Sequence, residues 1–526
     1  MNTLQIINTI LVVVIAVDMF FVFRRDLMML QQNSYRNERY MRWFNMSGES
    51  TSVQRILSAI SLLLLIVSNI PYLVGAIGSI LLLLGNVFTL ARAKYKKPLV
   101  VTNRVKRLWA VMSVIGIALP LIAGFATGSW IAAIIVAIAI ATLSPAVLLG
   151  ANILLVPIEK SINKKYYNDA ASRLAAMSDL KIIGITGSYG KTSTKHYLNR
   201  ILSEKYDVLM TPGSFNTTLG VIRTIREHLK PYNEVFIVEM GAKQSGDIKE
   251  ICDLVHPQMG IVTAVGEQHL ESFKSIENVQ RTKFELIDAL PQNGVGVVND
   301  DFPYVANREV KNVKCIRYAV NATSNASYTA QDIIYDETGT QFTIVGNGKE
   351  LKLHTRLVGE CNISNLIAAV IIAMQLEVPD EKIRYAVEKI EQVEHRLNLK
   401  RTPGGITIID DAFNSNPTGS SMAMDVLSRF TKGKRIVITP GMIELGERQF
   451  ELNEALGKKI AECADVAIIV GEYNREAILN GINQGEMNEN NVHAVASFND
   501  AQRVLATIAR AGDTVLYEND LPDTFK

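Results

Sequence analysis

At 526 residues the chain exceeds what one hydrophobic core organises, and length alone predicts roughly three domains of about 100 to 200 residues. With 54 basic against 52 acidic side chains the net charge is only +2, which excludes a global field for nucleic acid. The four cysteines, Cys252, Cys315, Cys361 and Cys463, are dispersed and form no C-x-x-C pair, which argues against a disulfide framework or zinc ribbon and for a reducing cytosol around the soluble part.

From Leu4 to Phe23 the chain is almost entirely apolar, and comparable runs cover Ile56 to Leu90, Leu108 to Phe125 and Trp130 to Ile158. A membrane-crossing helix needs about 20 such residues, and the second run is long enough for two passes if it turns at Ser68 to Pro71. The expectation is about five transmembrane helices. No basic residue precedes the first run and no small-residue cleavage site follows it, so it reads as a span and not a signal peptide. Arg24, Arg25, Arg36, Arg39, Arg42 and Arg55 crowd one loop, and Arg92, Lys94, Lys96, Lys97, Arg104, Lys106 and Arg107 another. Retention of basic loops in the cytosol then puts the N-terminus outside and the chain after the last span on the cytosolic side of a cell membrane. Asp18 reads as a residue near a helix end that reaches the interface.

After Lys165 buried-strand candidates alternate with helical stretches, the texture of parallel α/β sheets. Strands are expected at Lys181 to Thr186, Val235 to Met240, Gly260 to Val265, Gly294 to Val298, Ile406 to Asp410, Arg435 to Thr439 and Val466 to Val470. A break at Arg396 to Gly405 separates two blocks.

KIIGITGSYGKTST sets Gly187, Ser188, Tyr189 and Gly190 between a strand and a helix, with Lys191, Thr192 and Ser193 next. In such a turn backbone N–H groups converge on phosphate oxygens, Lys191 neutralises the β and γ phosphates, and the Thr192 hydroxyl can hold Mg²⁺. The spacing is not the strict phosphate-loop pattern, because Ile185 stands where its first Gly belongs. Glu239 ends a buried strand, where α/β ligands bind, with helix capping as the alternative. His269 also follows a strand, although a lone His is more often structural. Lys283 lies on the apolar stripe Ile276, Val279, Leu286, Ile287 and Leu290 of a helix. An ammonium facing inward must snorkel, find a carboxylate or be chemically altered, for instance carbamylated by carbon dioxide into a metal-ligating anion.

These segments resemble the Mur ligase family, its D-alanyl-D-alanine-adding branch most of all, over about Lys181 to Asp513. GITGSYGKTST, VEMGA, GEQHLESF, VVNDDFP, GECNISN, EHR, IIDDAFNSNP and GMIELGE occur in the family's order. The apolar runs mark a membrane helical region over 1–158, and the resemblance implies a phosphate-loop ATP-binding central domain over 170–395 and a Rossmann-like C-terminal ligase domain over 396–526. It implies ATP and Mg²⁺ as cofactors, with Thr192, Glu239, His269 and carbamylated Lys283 as metal ligands. Lys191, Lys283 and Arg396 take catalytic roles. Asn299, Asn362 and Asn365 match positions around the nucleotide, Arg396 and Asp411 those that close over ATP, and Asn216, Thr217, Asn414 and Asn416 segments near the substrates; taken singly the Asn residues read as turn or cap residues.

The reaction implied is activation of a carboxylate as an acyl phosphate, followed by attack of an amine. Three departures bear on the substrates: Cys361 stands for the family's usual His, Gly441 for an Asp, and YENDLPDTFK for a basic K-G-S-R ending. Membrane spans occupy the place of the family's soluble UDP-sugar domain. The expected partners are a carboxylate-bearing cell-envelope precursor, UDP-linked or lipid-linked, an amino acid or dipeptide, and membrane lipid, with no nucleic acid. A poly-γ-glutamate synthase of capsule synthesis is the rival reading, and an ATP-driven envelope transporter a third.

Overall fold

The computed structural model describes residues 3–67, 69–95, 97–320, 326–336, 339–413 and 415–521. Ser68, Lys96 and Asn414 fall outside the described residues. Contacts divide the chain into two units, one comprising Met1–Lys164 with the last residues from Leu521, the other Lys165–Asp520.

The first unit is helical: α1 (Thr3–Gln32), α2 (Asn37–Met46), α3 (Val53–Ile66), α4 (Tyr72–Arg92), α5 (Asn103–Thr127), α6 (Trp130–Thr142) and α7 (Ser144–Ala175), the last running on into the second unit. α1, α4, α5 and α7 are long and apolar enough to cross a membrane, while α3 and α6 are apolar but shorter. The run from Trp130 to Ile158 is divided at Leu143, because Pro145 cannot extend α6 and sits instead in the first turn of α7.

Asp18 departs from expectation. α1 continues past Arg24 and Arg25 to Gln32, so Asp18 lies within the helix, fully buried, and its Oδ1 accepts a hydrogen bond of 2.7 Å from Asn86 Nδ2 on α4. Arg55 is also inside, donating to Asp26 Oδ1 at 2.5 Å and to Ser144 Oγ at 2.7 Å. Arg55 thus meets a carboxylate, as a buried charge must, whereas Asp18 meets a neutral amide.

The second unit begins with β1 (Lys181–Thr186), α8 (Lys191–Leu202), β2 (Val208–Met210), α9 (Thr218–Glu227), β3 (Val235–Glu239), α10 (Asp247–Val255), β4 (Met259–Val262), α11 (Leu270–Phe273), α12 (Ile276–Asp288), β5 (Val295–Asn299) and α13 (Pro303–Ala306). Then come β6 (Lys314–Ala319), β7 (Tyr328–Asp336), β8 (Gly339–Gly346), β9 (Lys349–Thr355), α14 (Glu360–Gln375) and α15 (Asp380–Glu388). These strands form one sheet in the order β2-β3-β1-β4-β5-β6-β7-β8-β9. It is parallel up to β7, and β7, β8 and β9 extend it as an antiparallel meander that the expectation of parallel sheets did not contain.

Side chains alternate across this sheet as the pleat requires. Ile183 and Ile185 pack with Tyr197, Leu198 and Ile201 of α8 and with α14, while Ile182, Phe236 and Val238 pack with α9, α10 and α12 on the other face. Gly184, Gly260 and Gly296 are register partners on adjacent strands β1, β4 and β5. A Cβ there would come within 2.5 Å of Leu286 at Gly184, 3.0 Å of Leu286 at Gly260 and 3.3 Å of Ile287 at Gly296. The row therefore lets α12 settle against the sheet, which fixes Lys283 one turn earlier on the same helix.

The remaining elements are β10 (Asn398–Arg401), β11 (Thr407–Asp411), α16 (Pro417–Ser428), β12 (Arg435–Thr439), α17 (Gln449–Cys463), β13 (Val466–Val470), α18 (Arg475–Ile482), β14 (Val492–Val495), α19 (Phe498–Ile508) and β15 (Thr514–Glu518). They make a second sheet, β10-β11-β15-β12-β13-β14, parallel except for the β10–β11 edge pair. Asp411 and Glu518 lie side by side at the ends of neighbouring strands.

Candidate active site

The turn between β1 and α8 is shaped by two glycines that no other residue could replace without displacement. Gly187 has φ 150° and Gly190 φ 80°, and a Cβ on Gly187 would stand 2.1 Å from Thr263 Oγ1, one on Gly190 2.4 Å from Asn365 Oδ1. Ser188 Oγ donates to Gly266 O and accepts from Gly266 N, each at 3.0 Å, tying the loop to the segment after β4. Lys191 Nζ folds back over the loop to Gly187 O at 2.6 Å and Ser188 O at 3.2 Å. Burial lowers its pKa to about 8, with Glu239 opposing and Arg396 adding to the shift.

Glu239 is the hub beside this loop. Its Oε1 accepts from Thr192 Oγ1 and Asn216 Nδ2, both at 3.1 Å, and Lys195 Nζ lies 3.0 Å from Oε2. The Lys195 ammonium is the partner of Oε2. Burial alone would raise the Glu239 pKa, but Lys195 and Lys191 outweigh it and hold the carboxyl below its ordinary value. Lys195, 0 % exposed, also donates to Gly213 O at 2.5 Å. Sequence reasoning missed it, although 195, 198 and 202 repeat the same inward spacing that singled out Lys283.

Lys283 is 1 % exposed and has no ion-pair or hydrogen-bond partner among the described residues, only the Phe273 ring 6.0 Å from its Nζ. Burial, and then the Lys191 charge, push its pKa well below that of an ordinary lysine. Burial thus works against the charged form of this amine. His269, at φ 52°, holds its Nδ1 against Glu444 Oε2. Burial lowers the His269 pKa against the pull of Glu444, and the nearby Lys283 lowers it further.

Across from the loop, a cleft is lined by Tyr189, Gly190 and Ser193 on one side and Arg396, Asp411 and Asn416 on the other, with Asn362 and Asn365 at its wall. Arg396 donates to Phe413 O at 2.8 Å and stacks over the Phe413 ring at 4.4 Å. Burial raises the Asp411 pKa to about 6, with Arg396 opposing. Cys361, at the usual His position, also lines the cleft, and burial pushes its thiol up to about 12, so it is no thiolate.

Other sequence candidates have quieter positions. Asn299 lies behind the cleft wall, donating to Thr263 O at 3.0 Å and Ser364 Oγ at 2.8 Å. Thr217 and Asn416 cap α9 and α16, accepting from Gly220 N at 3.3 Å and Gly419 N at 2.9 Å. The loop bearing Gly441 has no room for the family's Asp, since a Cβ would stand 2.5 Å from Asn453 Oδ1 and 2.8 Å from Asn474 Nδ2.

Among the described residues no group of three or more His, Cys, Asp or Glu side chains could by itself hold a metal ion. The Thr192 hydroxyl and the Glu239 carboxylate, which is held anionic, with the His269 imidazole beside the buried Lys283 amine, nevertheless fit magnesium, which takes one or two protein oxygens and completes its shell with phosphate and water.

The Mur ligase middle domain matches residues 185–373, and the Mur ligase glutamate ligase domain residues 395–517. The UDP-N-acetylmuramoyl-tripeptide–D-alanyl-D-alanine ligase of Bacillus subtilis is 29% identical over 282 residues, which are 53% of this chain and 60% of the relative. That of Escherichia coli is 28% identical over 303 residues, 57% of this chain and 66% of the relative. The chain thus spans less than two thirds of the length of these curated relatives. Among solved structures, MurF from Acinetobacter baumannii has a TM-score of 0.61 at 26% identity, covering 68% of this chain and 77% of its own. MurF from Thermotoga maritima in complex with ADP has a TM-score of 0.60 at 26% identity, covering 68% and 80%. With both domain matches falling on the two sheets just described, and between them taking in more than half of the residues, the chain belongs to the Mur ligase family.

Proposed function

We propose that the protein is an ATP-dependent ligase that joins a carboxylate-bearing cell-envelope precursor to an amino acid or dipeptide through an amide bond, at the membrane. The observation that carries this reading is the buried Lys283 amine, without a hydrogen-bond or ion-pair partner among the described residues and within the electrostatic reach of Lys191 and His269. A neutral amine attacks carbon dioxide, forming an N–C bond and releasing a proton. The resulting carbamate is an anion able to ligate metal, which turns an unfavourable burial into a useful one.

Bound magnesium would neutralise phosphate charge, held by Thr192 and Glu239 at one position and by His269 and carbamylated Lys283 at the other. Gly187 to Ser193 cradle the triphosphate. Lys191 draws charge from the γ-phosphoryl group while the substrate carboxylate attacks it, giving an acyl phosphate and ADP. An amine then displaces phosphate. Arg396 and Asp411 close the C-terminal domain over the nucleotide, with Asn362 and Asn365 at its wall and Asn299 bracing them. Asn216, hydrogen-bonded to Glu239, links the metal side to the substrate loop that includes Thr217, and Asn416 stands at the opposite lip. Catalysis of this kind is positioning and electrostatics.

The relatives' names supply the precursor best supported, a UDP-muramoyl tripeptide joined to D-alanyl-D-alanine. The apolar N-terminal helices favour attachment to the bacterial cell membrane, with the sheets cytosolic and a lipid-linked form of the precursor within reach. A second reading, a poly-γ-glutamate type of ligase, rests on the combination of this ATPase core with apolar N-terminal helices.

Purified full-length protein in detergent, given ATP, Mg²⁺ and paired carboxylate and amine candidates, tests the proposal. Phosphate release that depends on the amine, with a product lighter than its two substrates by one water, supports it. ATP hydrolysis without a condensed product across soluble and lipid-linked candidates would overturn it.

A further inference from the structure

Two loops that the sequence places far apart meet beside His269. Glu267, His269 and Glu271 follow β4 in the central domain, and Glu444 to Arg448 follow β12 in the C-terminal domain. Glu444 Oε2 engages His269 Nδ1, Arg448 pairs with Glu267, and Glu271 N donates to Glu444 O at 3.3 Å. A Cβ on Gly446 would stand 3.4 Å from the Glu271 backbone, so the loops lie flat against each other. His269 at φ 52° and Glu444 at φ 61° are both in the left-handed region that residues other than glycine seldom adopt. Two facing residues are thus held in costly backbone conformations at one contact, a pattern that clusters at functional sites.

A histidine that ligates metal through one ring nitrogen commonly gives the other N–H to a carboxylate, which fixes tautomer and ring orientation. Here Nδ1 is taken by Glu444, leaving Nε2 for a metal, and the carboxylate comes from the opposite domain. We propose that Glu444 is a positioning residue that orients His269 for a divalent cation across the domain boundary, so that cation binding at His269 and closure of the C-terminal domain are one equilibrium. Linkage makes the effect reciprocal: whatever factor closure adds to cation affinity, the cation adds to closure. Arg448 and Glu267 form the second clasp of the same latch. This inference rests on the metal role of His269 proposed above.

The test uses full-length protein in detergent with ADP, Mn²⁺ as the probe, free Mn²⁺ read by electron paramagnetic resonance, and domain closure read as the distance between spin labels on α10 and α18. Glu444→Ala should weaken the His269-dependent class of Mn²⁺ sites about 10- to 100-fold, the usual effect of losing such a partner. It should also reduce the Mn²⁺-induced closed population, whereas Glu444→Gln, which keeps an oxygen acceptor, should lose less of both. Should the alanine variant not fold, the glutamine variant carries the comparison with wild type. Exchanging the charges, Glu267→Arg with Arg448→Glu, should restore closure lost in either single variant. Mn²⁺ binding unchanged in His269→Ala would overturn the metal reading itself. Binding weakened in His269→Ala but unchanged in Glu444→Ala, or closure indifferent to Mn²⁺, would overturn the latch alone.

Discussion

Lys195 Nζ lies 3.0 Å from Glu239 Oε2, with neither side chain more than 1 % exposed. A buried carboxylate beside the phosphate loop is thereby kept anionic before any metal arrives, and the same ammonium holds Gly213 O of the loop that leads to Asn216. Replacing one member of such a pair leaves the other charge uncompensated, so Lys195→Met should cost about 3 kcal/mol or more of stability without ligand. Because Mg²⁺ would supply the missing positive charge, the loss should shrink when Mg²⁺ and ADP are added. Thermal melts in both conditions decide it, and a deficit independent of Mg²⁺ would count against Glu239 as a ligand.

For Lys283 the expectation is chemical. ¹³C-bicarbonate should give a carbamate carbon resonance in the wild type that is absent from Lys283→Ala, and ligation by the variant should fall by about 100-fold or more, the scale of losing one preorganised charged group. The depressed amine pKa gives the sign of the pH effect: lower pH protonates the amine and removes the reactive form, so acidification and carbon dioxide depletion both reduce activity. Full activity in the variant would remove the carbamate from the mechanism.

Asp411 titrates at about 6 because burial opposes its charge and Arg396 only partly offsets that. Above that pH the carboxylate is ionised and available to the nucleotide side of the cleft. Below it the charge is lost, and ADP affinity should fall by up to about tenfold per pH unit. A binding titration over pH 5 to 8 (about three units) should show this acid limb in the wild type and none in Asp411→Asn.

What was legible in the sequence was local. The phosphate loop showed itself by glycines, a lysine and a threonine between a strand and a helix, and Lys283 by standing on an apolar stripe. Lys195 obeys the same rule but follows a phosphate loop so closely that its spacing went unread. Asp18 was misplaced because the apolar run ends at Phe23 while the helix continues to Gln32, making a residue near the end of a sequence pattern a residue inside a bundle. The contact of Glu444 with His269 joins positions 175 residues apart, and no periodicity carries that information. The meander β7 to β9 was missed for a different reason: its burial alternates, as in β9, instead of forming the continuous apolar runs that mark parallel strands.

Glu518 should make stability fall as pH rises from the ordinary glutamate range to about 8. Fully buried, with hydrogen bonds from Ser415 and, at 3.0 Å, from Thr439, its carboxyl is raised by burial to about 8. The folded chain therefore retains a proton that the unfolded chain releases above the ordinary glutamate range, so stability is fully present at low pH and declines as pH rises through about 8. Glu518→Gln removes that decline. Its melting temperature should match the wild type near pH 5 (about the ordinary glutamate value), exceed it increasingly up to about pH 8 and level off above that, by about 2–4 °C for each kcal/mol recovered.

The glycine row under α12 turns the missing side chains into a gauge. Gly184 belongs to the strand that launches the phosphate loop, and the helix resting on it bears Lys283. The separation between the phosphate grip and the buried amine is consequently set by a short chain of parts, with side chains such as Leu286 and Ile287 contributed from the helix side alone, and machining error has few links in which to accumulate. Reactive geometry usually tolerates about half an ångström. One added methyl on β1 or β4 would spend that tolerance while leaving every functional side chain in place, so a variant could retain its full complement of reactive groups and still be out of true.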